Sequence, residues 1–252
     1  MSFCGHRARM ALFLGLAFAV PAAPRALAFD MPVKATVEEL AADKTQRAQL
    51  EKSIAADPKN KDLRLQLGKV LCDLGANGDE SASDAAVKLF TALYKDFPKD
   101  AEVLAYYGNA CAIYAQFASV FTQLSWVHDG FHHLDDAVKA APENLEVRIA
   151  RALNSAQVPD FLDRQKIAQE DFAWLLNRIQ TNPKDFSADN LRLIYFYDGI
   201  FALSQNDAKA IQLFTQAAAI PPPPGDTLAP HIESSLKIAR AKFPSAQVSK
   251  TP

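Results

Sequence analysis

The chain has 252 residues, 49% of them apolar and 22% charged, with nine Gly and 15 Pro, a composition that supports a sizeable packed core and excludes disorder as the main state. Lys and Arg number 27 against 29 Asp and Glu, a net charge of −2, so no global positive field is present to hold nucleic acid or an anionic membrane surface. A nucleic-acid partner is not expected.

Residues 1–28 read as a secretory signal peptide. Arg7 and Arg9 supply the positive region, Met10 to Val20 the apolar run, and Ala26-Leu27-Ala28 the small-residue cleavage site, with Phe29 first in the mature chain. The apolar run is too short to span a bilayer, for which about 20 residues are needed. Cys4 lies ahead of it, so no cysteine is placed to carry a lipid anchor. Loss of Arg7, Arg9 and Arg25 leaves the mature chain with a net charge of −5. Every later apolar stretch is broken by charge within a few turns, so an integral membrane protein is not expected.

A short phrase recurs along the rest: Asp57-Pro58-Lys59-Asn60, Phe97-Pro98-Lys99-Asp100, Ala141-Pro142-Glu143-Asn144 and Asn182-Pro183-Lys184-Asp185, the prolines separated by 40, 44 and 41 residues. Self-similarity at such a period marks a repeat array. Proline stops the incoming helix, and Asn or Asp two residues later caps the next, so each phrase predicts a helix-to-helix corner. Between corners the apolar spacing is helical, as in Leu63, Leu67, Val70, Leu71 and Leu74, then Ala86, Phe90, Leu93 and Tyr94. Gly75-Ala-Asn-Gly78 separates those two helices. The pattern predicts a leading helix over 35–56, hairpins over 61–97, 101–141, 144–182 and 186–220, a break at Pro221 to Pro224, a closing helix over 227–243 and a loose tail over 244–252. The expected fold class is all-α, an α-solenoid of antiparallel helical hairpins forming one repeat domain over 29–243.

These units resemble the tetratricopeptide repeat. In the first, Leu67-Gly68 stands at the family's Leu-Gly place, Ala86 and Phe90 at its small and aromatic places, and Pro98 closes the unit. In the second, Tyr107-Gly108 is followed by Gly130, Leu134, Ala137 and Pro142, and Asp207 to Ala217 looks like the second helix of a third. Arg151-Ala152 replaces Leu-Gly in the degenerate unit between Pro142 and Pro183. The resemblance implies that first-helix side chains line a partner-binding groove. By register these are Asp62, Leu65, Lys69 and Asp73; Glu102, Ala105, Asn109 and Ala112; and Glu146, Ile149 and Leu153. Lys69 and Asn109 are then the donors for a partner's backbone or carboxylate. Basic groups are too few, and Asp62, Glu102 and Glu146 too repulsive, for a clamp on a C-terminal carboxylate, so a helical or neutral peptide with apolar anchors fits better.

His128 and His132 stand at i,i+4 on one helix face, with His133, Asp135 and Asp136 close by. Such nitrogens suit zinc or copper. Asp129 stands where the His-Glu-x-x-His motif carries its Glu, and solvated surface histidines are the plainer expectation. Cys72 and Cys111, the two cysteines of the mature chain, fall near the ends of consecutive first helices; they are buried thiols or a disulfide formed after export. Tyr106, Tyr107, Tyr114, Phe117, Phe121, Trp126 and Phe131, with Tyr195, Phe196, Tyr197 and Phe201, are expected mostly in the core, with some left for a binding patch. Arg148, Arg151 and Arg164 have acidic neighbours, which predicts intramolecular pairing rather than an anion site. Asp160 is expected to cap a helix that carries Phe161, Leu162 and Ile167 inward.

No phosphate loop, nucleophile elbow or dinucleotide fingerprint is present in the sequence. The expectation is an exported, periplasmic, non-catalytic interaction or scaffold module without a cofactor, binding another envelope protein or peptide segment. The alternative is a metal- or small-ligand-binding protein, or a metal-dependent hydrolase, built on His128 and His132.

Overall fold

The computed structural model describes residues 35–222, 226 and 228–247. The expected signal peptide, its cleavage site and residues 248–252 of the tail lie outside the described residues. Ten α-helices follow one another, and no strand occurs among the described residues. No helix among them is long and apolar enough to cross a membrane.

The described residues divide into two compact units, an N-terminal one that ends at Asn154 and a C-terminal one that begins at Ser155. The repeat pattern predicts a single domain over 29–243; the division falls inside a helix of the third hairpin, a place that pattern does not mark.

In the N-terminal unit, α1 (Val37–Ala56) packs on α2 (Lys61–Ala76), α2 pairs with α3 (Glu80–Asp96), and α4 (Ala101–Tyr114) pairs with α5 (Gln123–Ala140), while α4 also packs on α3 and α2. The helix α6 (Leu145–Ala156) begins the third hairpin. The corners form as the prolines dictate. Asn60 accepts from the Leu63 N–H at 3.1 Å, Asp100 from the Glu102 and Val103 N–H groups at 3.1 Å each, and Asn144 from the Val147 N–H at 3.2 Å. Each satisfies donors that the first turn of a helix leaves unpaired. Asp79 caps α3 in the same way after Gly78, whose φ of +100° is open to glycine at little cost.

α4 buries residues on every side, from Val103 to Ile113 with only Tyr107 half-buried, as a helix enclosed by neighbours must. Its closest approach is to α5. A Cβ built on Gly108 would lie 2.6 Å from the Gly130 carbonyl oxygen, and one on Gly130 would lie 2.8 Å from the Gly108 oxygen. The two glycines let the backbones touch, which explains the glycines of the second repeat. Gly68 leaves the equivalent room for the Phe90 ring.

The C-terminal unit holds α7 (Gln165–Thr181), α8 (Ala188–Ser204), α9 (Lys209–Ala219) and α10 (Ala229–Lys242). α8 pairs with α9, α9 packs on α10, and α7 touches α8. Gly199 of α8 makes room for Phe214 of α9, repeating the Gly68–Phe90 device. Ile232 and Ala239 bury the inner face of α10, as expected of a closing helix.

Three expectations differ in detail. At the fourth corner Pro183–Asp185 form a 3₁₀ turn, and Ser187 rather than Asp185 caps α8, accepting from the Asn190 N–H at 3.1 Å. Asp185 is held instead by Arg178 at 2.9 Å, and the inserted Phe186 is buried. Asp160–Leu162 form a separate 3₁₀ turn closed by left-handed Asp163 (φ 55°), so Phe161 is 62% exposed instead of entering the core. Pro244–Gln247 form a further 3₁₀ turn at the start of the expected tail.

Candidate functional site

The face built from the first helices of the N-terminal unit gathers most of the groove positions. On this face a residue midway along α2 meets residues in the first turns of α4 and α6, since Lys69 stands nine positions past the Asn60 cap and Glu102 and Glu146 stand two past Asp100 and Asn144. The Lys69 Nζ donates to Glu102 Oε1 at 2.6 Å and to Glu146 Oε2 at 3.3 Å, joining three consecutive first helices. The same ammonium lies 4.3 Å from the centroid of the Tyr106 ring, within cation–π range.

About two turns nearer the corner, Lys61 bonds Asp100 at 2.7 Å, and between the two lysines Arg64 bonds Asp96 of α3 at 2.6 Å. Burial raises the Asp100 carboxyl, but the Lys61 hydrogen bond and the Val103 and Glu102 amides outweigh it and hold the group below its ordinary value. The lysine is shifted upward by the same bond.

Beneath the ion pairs the face is closed. Leu65, Ala105, Asn109, Ala112, Ile149 and Leu153 are all buried, so they form its floor rather than a free surface. Asn109 is used internally: its side chain bonds the Cys72 thiol, and its Oδ1 accepts from Asn154 Nδ2 at 3.3 Å. Of the two donors expected to face a partner, Lys69 is engaged by two carboxylates and Asn109 by two buried neighbours. Asp62 is exposed at the start of the row, and Asp73 is half-buried at its end.

Two polar atoms in this floor have no hydrogen-bond partner: the Tyr106 hydroxyl and Asn154 Oδ1. Burial pushes the Tyr106 phenol well up, assisted by Glu146, Glu102 and Asp73. The sequence placed Tyr106 only among the aromatics and did not single out Asn154, because neither carries a signal apart from its register beside Lys69 and Asn109.

Cys72 and Cys111 are both free and buried in this structure. Burial pushes Cys72 well up, and burial together with Asp129 pushes Cys111 to about 12, so neither supplies a thiolate near neutral pH.

The histidines of α5 diverge. His128 is exposed, and His132 is exposed with Asp136 3.3 Å away. His133 is half-buried, stacked on Tyr107 at 4.3 Å and edge-on to Tyr94 at 5.2 Å. Its pKa is lowered by burial first and by His132 second. Among the described residues no group of three His, Cys, Asp or Glu side chains converges as a metal site would require.

Arg151 meets Asp135 at 3.3 Å, as its acidic surroundings predict, while Arg148 donates to the Pro142 carbonyl at 2.9 Å and Arg164 approaches Ser155 Oγ at 3.4 Å. Most aromatics are core or half-buried. Phe161 and Phe121 are exceptions, Phe121 being 93% exposed beside Val120 at 72% in the corner between α4 and α5.

No family model matches this sequence, and no curated protein matches it. Among solved structures the chain is similar to a thermophilic tetratricopeptide-repeat protein of Thermus thermophilus, with a TM-score of 0.63 at 15% identity, covering 80% of this chain and 94% of that one. The likeness establishes an all-helical, tetratricopeptide-like fold.

Proposed function

We propose that this protein is an exported, non-catalytic binding module that holds a segment of another cell-envelope protein on the α2/α4/α6 face. The observation that carries the reading is the row formed by Lys69, Glu102 and Glu146, one residue from each of three successive first helices, over a floor with an unpartnered donor and an unpartnered acceptor. Tetratricopeptide-like hairpins commonly serve protein association, and an extended segment can meet one such position per repeat. Export rests on Arg7, Arg9, the apolar run and Ala26-Leu27-Ala28.

Mild crosslinking in the native envelope, followed by co-purification and identification of proteins and metals, tests this directly. One stoichiometric protein partner crosslinked to α2, α4 or α6, with the chain beginning at Phe29, is the expected result. Crosslinks confined to other surfaces overturn the choice of face. Stoichiometric metal without a partner moves the function to His128 and His132.

A further inference from the structure

Three features coincide at Lys69. Glu102 and Glu146 converge from neighbouring repeats on this single ammonium, so two carboxylates share one positive charge. Asp62, two turns back along α2 and on the same helical face, adds exposed negative charge. The ammonium also covers the ring of Tyr106, a residue 4% exposed whose buried hydroxyl has no acceptor. A hydroxyl withdrawn from water without a partner is costly, and a ligand that supplies an acceptor recovers that cost.

We infer that this face receives a cationic segment of the partner protein: a Lys or Arg side chain replaces Lys69 between Glu102 and Glu146 over the Tyr106 ring, and an adjacent main-chain carbonyl accepts from the Tyr106 hydroxyl. The inference rests on the α2/α4/α6 face being the binding surface. Lys69 is then a resident competitor. Its side chain is 22% exposed, so its flexible stem has a route toward solvent. An incoming guanidinium is the better occupant, because its planar fork can bond two carboxylates and stack on an aromatic ring. An acidic segment is repelled by Glu102, Glu146 and Asp62.

The test measures fluorescence polarisation of a labelled Arg/Ala repeat peptide, and of its Glu-for-Arg counterpart, against the purified protein. The Arg peptide is expected to bind and to weaken as salt is added. Lys69→Met is expected to tighten it about tenfold if the internal lysine occupies the acids in nine molecules of ten. Combined Glu102→Gln and Glu146→Gln substitution is expected to abolish the salt dependence and weaken binding at least about tenfold. Tyr106→Phe, which keeps the ring, should weaken binding several-fold, with circular dichroism confirming that each variant retains its helices. Weaker or unchanged Arg-peptide binding by Lys69→Met overturns the proposal. Binding of the Glu peptide through Lys69 overturns the cationic ligand but leaves the face as the binding surface. Binding of neither peptide also overturns it; whether the face itself falls is then read from the envelope crosslinks, which land elsewhere if it does.

Discussion

The N-terminal and C-terminal units use the same helical hairpin, with a glycine on one helix receiving an aromatic from the next at Gly68–Phe90 and Gly199–Phe214. They differ in where they place charge. In the N-terminal unit the pairs Lys61–Asp100, Lys69–Glu102 and Lys69–Glu146 lie along the first-helix face: Lys69 is 22% exposed and its partner Glu146 48%. In the C-terminal unit Lys166–Glu170 and Arg178–Asp185 stay at the surface, but two other pairs reach inside. Arg192 is 3% exposed and bonds Asp226 at 2.8 Å, while Asp226 also accepts from the Ala229 N–H at 2.8 Å and so fixes the start of α10. Asp198 is fully buried, with one oxygen unpartnered and Lys209 3.4 Å from the other. A partly exposed pair can exchange partners at little cost, whereas a buried one locks the fold, because its separation leaves a charge without water. The first arrangement suits binding and the second suits holding a closing helix.

The sharpest way to break this contrast is Arg192→Ala, which strands Asp226 and frees the N-terminus of α10. It should cost about 3–5 kcal/mol, read by urea denaturation, and a loss below about 1 kcal/mol would place Arg192 with the surface pairs. Gly108→Val tests the corresponding lock in the N-terminal unit, which is steric instead of ionic. The new side chain must displace the Gly130 carbonyl, at a cost of about 1–3 kcal/mol, detectable as a lowered Tm.

Asp198→Asn probes the buried carboxyl through pH. Burial raises its pKa above the ordinary 3.8, and Lys209 offsets only part of the shift. A carboxyl that titrates higher in the folded than in the unfolded chain contributes stability below its unfolded pKa and loses it as pH rises through the folded value. The Asn variant lacks this loss, so its stability relative to wild type should increase as pH rises above the unfolded carboxyl pKa of about 3.9. A difference independent of pH would show that Asp198 titrates alike in both states. The smallest effect is expected for Lys69→Met, about 0–1 kcal/mol by urea denaturation; a larger loss would make Lys69 a structural lock like Arg192.

Much of the fold was legible because its signals are local. Pro58, Pro98 and Pro142 stop helices by covalent geometry, and Asn60, Asp100 and Asn144 cap the next ones from two residues away. The fourth phrase looks alike but behaves differently, since Phe186 finds a buried site and Arg178 draws Asp185 away, leaving the cap to Ser187. Phe161 was misplaced for a related reason: the left-handed turn at Asp163 ends the 3₁₀ segment before α7 can take it inward. At the candidate site, register placed Lys69, Glu102 and Glu146 on one face but could not say that they bond to each other. Asn109 looked like a free donor and is engaged by Cys72 and Asn154, partners 37 and 45 positions away in the sequence.

The sequence by itself determined the helices, their order and most corners, because hydrophobic period, proline and capping act over a few residues. Tertiary structure alone decided which polar groups neutralise one another, which cysteines remain free and which hydroxyl is left without a partner. Those outcomes depend on distances of a few ångströms between side chains about 30 to 80 positions apart, and on how much water packing removes from each.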